Sequence, residues 1–150
     1  MEVYRICLEK WSTKLTASGF PARWNSKGKF VLYTAGSRAL ACLENVVHRS
    51  GEGLNNSFKV MVIDIPDDVL VTKVEEDQLP INWTDFAAYS DCQKIGDQWV
   101  EDNEALVLKV PSAIIQKEYN YLLNVNHRQM NKVKILSTED FQFDSRIKGS

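Results

Sequence analysis

Glu44 falls inside a run that should be apolar. Leu40, Leu43 and Val47 recur at spacings of three and four, which predicts one face of a helix. Glu44 projects within or beside that face. Desolvating an unpaired carboxylate is expensive, so the charge needs a reason. Two readings are open: a carboxylate at the stripe edge that reaches water or pairs with a nearby Arg, or one aimed into a cleft. Four other positions carry groups that could act on a substrate. Arg23 lies beside Trp24, where its ordinary role is a cation over an indole. Tyr33 closes an apolar run, where a phenol ordinarily packs with its hydroxyl at the rim. Ser112 follows Pro111 and reads as a helix cap. Asn120 lies with Asn124 and His127 in a stretch that reads as a loop with turn chemistry. No Ser/His/Asp or Cys/His arrangement stands out. Two histidines and no close Cys pair make a structural zinc site unfavoured, so no metal is expected. Lys27-Gly28-Lys29 is too short for a phosphate-cradling loop.

The elements that must position these residues are many and short. Val3 to Ile6 reads as a strand, and Trp11 to Ser18 is ambiguous before the break at Gly19-Phe20-Pro21. Arg23 to Asn25 and Phe30 to Thr34 read as two strands around a glycine turn. Ser37 is the expected N-cap of a helix through about His48, closed by Ser50-Gly51-Glu52-Gly53. Phe58 to Ile65 and Val69 to Val74 read as strands, and Trp83 to Asp85 as loop or short helix. Asp91 to Val100 reads as a helix with Gly96 as its weak point. Ala105 to Val110, Val133 to Leu136 and Phe141 to Phe143 complete the strands. Strands and helices do not alternate regularly, which predicts an α+β fold rather than a doubly wound sheet.

The bulk numbers bound the function. A chain of 150 residues, 44% hydrophobic, suits one domain over 1–150 with a full core. A net charge of −2 disfavours a nucleic-acid footprint or a basic membrane patch. No apolar run approaches the ~20 residues of a transmembrane helix, and the first residues lack a signal-peptide pattern. Cys7, Cys42 and Cys92 are odd in number and far apart, as in a reduced, cytoplasmic protein. Lys148-Gly149-Ser150 reads as a frayed or non-native tail.

The run "RWNSKGKFVLYTAGSRALACLENVVH" resembles the signature of the RES-domain family, named for Arg, Glu and Ser. "VYRI", "LPINW", "IGDQWV", "LKVPSAII", "EYNYLLNVNH" and "FQFDSRI" match in order, so the resemblance covers nearly the whole chain. One departure is Ala22, where the family usually has Gly. The family members are toxins of bacterial type II toxin–antitoxin systems. The resemblance implies an ADP-ribosyltransferase-like split β-sheet with flanking helices, and a site that consumes NAD. It puts the family Arg on Arg23, the Tyr on Tyr33, the Glu on Glu44, the Ser on Ser112 and the Asn of "E-x-N" on Asn120.

Those residues suit cleavage of NAD at its nicotinamide–ribose bond. The leaving group is a pyridinium that departs neutral, so no general acid is needed, unlike most glycosidases. The site must bind pyrophosphate, hold ribose and stabilise an oxocarbenium-like transition state. By resemblance, Arg23 clamps phosphate oxygens and Glu44 accepts from the ribose hydroxyls and faces the developing charge. Tyr33 packs near the nicotinamide–ribose end, with Ser112 and Asn120 binding nearby. NAD is then a substrate and no cofactor is expected. Phosphate, water and a protein side chain are all open as acceptors; the resemblance favours phosphate as co-substrate. Arg5 or Arg38 could offset its charge. The implied partner is a cognate antitoxin (Xre-, MbcA- or ParS-like) that blocks the site, with a homodimer inside that complex. An inactive interaction module is the reading of another class, and the intact Arg23, Tyr33, Glu44 and Ser112 set argues against it.

Overall fold

The computed structural model describes residues 1–48 and 57–147. Seven strands form one mixed sheet in the order β4-β5-β6-β2-β1-β3-β7. In chain order they are β1 (Glu2–Leu8), β2 (Val31–Ala35), β3 (Phe58–Asp64), β4 (Val71–Lys73), β5 (Val107–Pro111), β6 (Tyr119–Asn124) and β7 (Lys134–Phe141). Helix α1 (Arg38–His48) follows β2, and α2 (Tyr89–Asp102) precedes β5. Only β4 and β5 run parallel. The α+β class and the split sheet both hold.

The split has a definite place. β1 pairs with β3 along its whole length, from Glu2↔Asp64 to Leu8↔Phe58. β2 likewise pairs with β6 from Val31↔Asn124 to Ala35↔Asn120. Between β1 and β2, however, a single pair, Tyr4↔Ala35, holds the two halves together. From Arg5 onward β1 leaves β2, and one freed carbonyl, that of Ile6, accepts from Asn45 Nδ2 on α1 at 3.1 Å. Three apolar clusters follow this plan. One joins Val3, Leu32, Met61, Ile63, Val107 and Leu123 across both halves. A second packs Cys92 and Trp99 of α2 on Val31, Leu108 and Leu122. The third packs Leu40 and Ala41 of α1 on Ile6, Val60 and Val62. Each helix therefore covers its own half of the sheet.

Several expected elements differ. The Asn120 stretch is strand β6, because its Tyr119-Asn120-Tyr121-Leu122-Leu123 run is apolar and aromatic enough to pair on both sides. Arg23 to Asn25 makes only one isolated bridge, Ala22↔Asn25. The two late strands are one, β7, which ends at Phe141 and pairs along β3 with a register shift between Val62 and Ile63. The strand over Val69 to Val74 shortens to β4, and α2 starts earlier and runs further than its apolar pattern. Ser37 does cap α1: its Oγ accepts from the Leu40 N–H at 3.1 Å. The expected helix stop at Ser50 to Gly53 and the terminal Gly149-Ser150 lie outside the described residues. No helix among the described residues is long and apolar enough to cross a membrane.

Candidate active site

Helix α1 explains its carboxylate. The stripe expected from Leu40, Leu43 and Val47 is not the buried one. Leu40 and Ala41 are buried, whereas Leu43 is 37% and Val47 57% exposed. A second row, Glu44, Asn45 and His48, one turn on from the buried Ala41 and with Val47 beside it, faces a cleft. That cleft has a volume of about 800 Å³, within the size range of ligand sites. Glu44 is not a core residue displaced to an edge; it belongs to the cleft row. Its Oε2 lies 3.2 Å from His48 Nε2 one turn on, and its side chain keeps 25% of its surface exposed. The pairing partner is thus a histidine on the same helix rather than an arginine.

Arg23 enters the same cleft from a loop that α2 grips. Gln93 Nε2 donates to the carbonyls of Ala22 (2.8 Å) and Asn25 (3.1 Å). Asp97 Oδ1 accepts from the Ser26 N–H at 2.9 Å. Between them, Gly96 lets the helix touch the loop: a Cβ there would sit 1.7 Å from the Trp24 carbonyl oxygen. The guanidinium donates to the carbonyls of Trp83 (2.7 Å) and Thr84 (2.9 Å). It stacks 4.5 Å above the Tyr89 ring and 5.8 Å from the Trp83 ring. The indole under the cation is therefore Trp83, not the sequence neighbour Trp24, which is buried at 3% exposure. Two carbonyls and two rings fix the plane of the guanidinium, and its remaining N–H groups are not used by those bonds.

Tyr33 lines the cleft with its hydroxyl occupied. It donates to Asn25 Oδ1 at 2.6 Å and accepts from the Trp24 N–H at 3.1 Å. Burial pushes its phenol well above the ordinary tyrosine range, and the Trp24 N–H only partly opposes this. The phenol is neutral, and it anchors the two residues that follow Arg23, Trp24 and Asn25. Asn120, on β6, also lines the cleft and donates to the Thr34 carbonyl at 3.2 Å. Ser112 is not brought to the cleft surface with these four. Its Oγ accepts from the N–H groups of Ile114 (3.1 Å) and Ile115 (3.0 Å), and the turn it caps presents Ala113 and Ile114 to the cleft.

The structure separates the two candidate cations, Arg5 and Arg38, and adds residues that sequence reasoning did not select. Arg5 stands where β1 and β2 part, and it lines both the cleft and an adjoining chamber of about 440 Å³. Among the described residues it has no carboxylate partner, and burial pulls its guanidinium below the usual value. It remains a cation, since arginine stays charged in proteins. Arg38 is committed elsewhere, to Glu139 at 3.2 Å and to the Tyr4 ring. His48, Thr84 and Tyr89 also line the cleft. The one sequence signal for any of this was Gly96 inside a helix pattern, which marks close backbone approach. Among the described residues no group of three or more His, Cys, Asp or Glu could hold a metal ion. The cleft thus offers one carboxylate, two arginines, three tyrosines, a histidine and two side-chain amides: a set for an anionic sugar derivative that develops positive charge.

Comparison with known proteins agrees in length and fold. The family model described as RES domain matches residues 2–144. "Toxin Res" of Yersinia enterocolitica is 33% identical over 156 aligned residues, covering 99% of this chain and 100% of the relative. "Prs ADP-ribosylating toxin" of a Sphingobium species is 35% identical over 127 residues, 83% of this chain and 79% of the relative. A crystal structure described as the M. tuberculosis MbcT-MbcA toxin-antitoxin complex superposes with a TM-score of 0.76 at 17% identity, covering 94% of this chain and 84% of that one. At that identity the likeness speaks for the fold.

Proposed function

The chain belongs to the RES-domain family, and from that membership and its cleft we propose that it is the toxin of a type II toxin–antitoxin pair, cleaving NAD at the nicotinamide–ribose bond by phosphorolysis. The observation that carries this reading is the gathering of Glu44, Arg23, Arg5, Tyr33 and Asn120 around one cleft at the split of the sheet. Each has a task that follows from its setting. Arg23, held flat by Trp83, Thr84 and Tyr89, clamps pyrophosphate oxygens through N–H groups that the two carbonyls do not take. Glu44 accepts from the ribose hydroxyls and stabilises the positive charge that grows on the ribose as the C–N bond stretches. The bonding pair leaves with the nicotinamide nitrogen, which departs neutral. A phosphate oxygen then bonds to the vacated ribose carbon, giving ADP-ribose phosphate.

An incoming phosphate dianion is repelled by Glu44 and needs a cation that is not already spent. Arg5 has no carboxylate partner among the described residues and faces both cleft and chamber, which suits it to that task. Tyr33 and Ser112 are positioning residues here: one fixes the Arg23 loop, the other the turn at Ala113-Ile114. An enzyme that drains NAD must be restrained in its own cell. The superposing crystal structure is that of a toxin–antitoxin complex, which supports a protein antitoxin as partner, acting by occlusion of this cleft. One relative is named for ADP-ribosylation, which favours transfer to a protein side chain as the second reading.

Incubating purified protein with NAD over a range of phosphate concentrations tests the acceptor. The expected result is NAD loss that rises with phosphate and saturates, with phosphate on the ribose carbon that held nicotinamide. A rate indifferent to phosphate with free ADP-ribose as the only product would make it a glycohydrolase. ADP-ribose bound covalently to protein would establish the transferase reading.

A further inference from the structure

Beside Arg23 the cleft edge carries a pair of aromatic rings, of which the chemistry above uses only Tyr89, as the rest for the guanidinium. The Tyr89 ring lines the cleft and carries the Arg23 guanidinium at 4.5 Å. The Phe86 ring lies 4.8 Å from it at 39°. Phe86 is 81% exposed. A single exposed apolar residue is ordinary; one joined ring to ring to the cation of a proposed site is a more specific feature. The segment is also held in place. The Ala88 N–H donates to the Asp85 carbonyl at 3.1 Å, and Ala88 is 2% exposed. The short turn Phe86–Ala88 runs directly into α2, the helix that grips the Arg23 loop. Shelf and cation are therefore parts of one rigid assembly.

We infer that the Phe86–Tyr89 shelf is the adenine subsite of the dinucleotide, an inference that rests on the NAD reading. The two bases of NAD lie at opposite ends of its pyrophosphate. If the nicotinamide ribose sits at Glu44 and the pyrophosphate at Arg23, the adenosine leaves Arg23 on the side away from Glu44. Next to Arg23 stands the partly buried Tyr89 ring, and next to that the Phe86 ring, which is open to solvent. A purine is flat and stacks on aromatic rings without needing hydrogen bonds, an interaction worth roughly tenfold or more in affinity. Phe86 offers only its ring face, so it contributes affinity and not chemistry. Because the interaction is made equally in ground and transition states, its loss raises KM and leaves kcat alone.

The test compares wild type with Phe86→Ala and Phe86→Tyr, measuring kcat and KM for NAD and the inhibition constant of adenosine monophosphate. Phe86 is exposed enough that neither substitution threatens the core. Phe86→Ala should raise the KM for NAD and the inhibition constant of adenosine monophosphate by a similar factor of about ten. Its kcat should not change, and Phe86→Tyr should restore both. An unchanged KM, an unchanged inhibition constant, or a loss confined to kcat overturns the assignment while leaving NAD cleavage standing. A wild-type protein that consumes no NAD overturns both.

Discussion

Tyr33 illustrates how much of this site consists of groups that hold other groups. Its hydroxyl is bonded twice, to Asn25 and to the Trp24 backbone, so it fixes in space the two residues that follow Arg23. Tyr33→Phe leaves a buried amide oxygen and a backbone N–H without that partner. It should destabilise the protein by about 1–3 kcal/mol, read as a lower Tm, and lower activity through a loosened Arg23. The pH dependence has a definite sign. Burial raises the folded-state pKa of the phenol above its unfolded value near 10, so the folded form holds its proton more tightly. The stabilisation is fully present below that unfolded value and is lost as the pH rises above it. Thermal melts across the alkaline range should show a decline in wild type that is shallower in Tyr33→Phe. Equal slopes would contradict the role. At this scale the sequence was informative where a residue broke a pattern, as Glu44 breaks an apolar helix face. It named Arg5 beside Arg38 as a cation that could serve but could not choose between them, because Arg5 occupies an ordinary strand position and becomes exceptional only where β1 parts from β2. Ser112 read as a cap from its place after Pro111, and its hydroxyl does cap the turn that follows.

At the scale of elements, helix α2 is the part that places Arg23. Gln93, Gly96 and Asp97 present an amide, a gap and a carboxylate to the loop over 22–26. Gly96→Ala puts a methyl group 1.7 Å from the Trp24 carbonyl oxygen, a backbone atom that cannot swing aside. Helix and loop must separate, at a cost of about 1–3 kcal/mol. The mutant should melt lower and lose NAD turnover by more than its unfolded fraction explains, because the loop carries Arg23. Circular dichroism melts with activity assayed well below the transition check this; unchanged activity in folded Gly96→Ala would show that the grip does not position the cation. Helix periodicity in the sequence found α2 and marked Gly96 as weak, but only the tertiary contact shows what the glycine admits. Strand β6 was misread as a loop because its asparagines suggest turns, whereas Asn120 and Asn124 are both paired in the ladder with β2. The packing face of α1 was also misplaced: its apolar residues at Leu43 and Val47 remain exposed, so an apolar pattern alone does not show which face meets the sheet.

For the whole molecule, the site follows from a sheet that is nearly two sheets. Three strands, β3, β1 and β7, carry α1 and with it Glu44; four, β4, β5, β6 and β2, carry Tyr33 and Asn120. One register pair joins them, and the cleft occupies the ground between helices α1 and α2. The α+β class was legible from short strands and uninterleaved helices, while the place of the split depends on pairings far apart in sequence. The account stands on Glu44 as the group that stabilises charge in the transition state. Its most direct test is nicotinamide release from NAD, followed by proton NMR, for wild type and Glu44→Gln alongside calorimetric binding of NAD. Gln keeps the shape and removes the charge. The account predicts that Glu44→Gln folds and binds NAD within a few-fold of wild type while nicotinamide release falls by about 10²–10³-fold. A folded Glu44→Gln that releases nicotinamide at nearly the wild-type rate would contradict it.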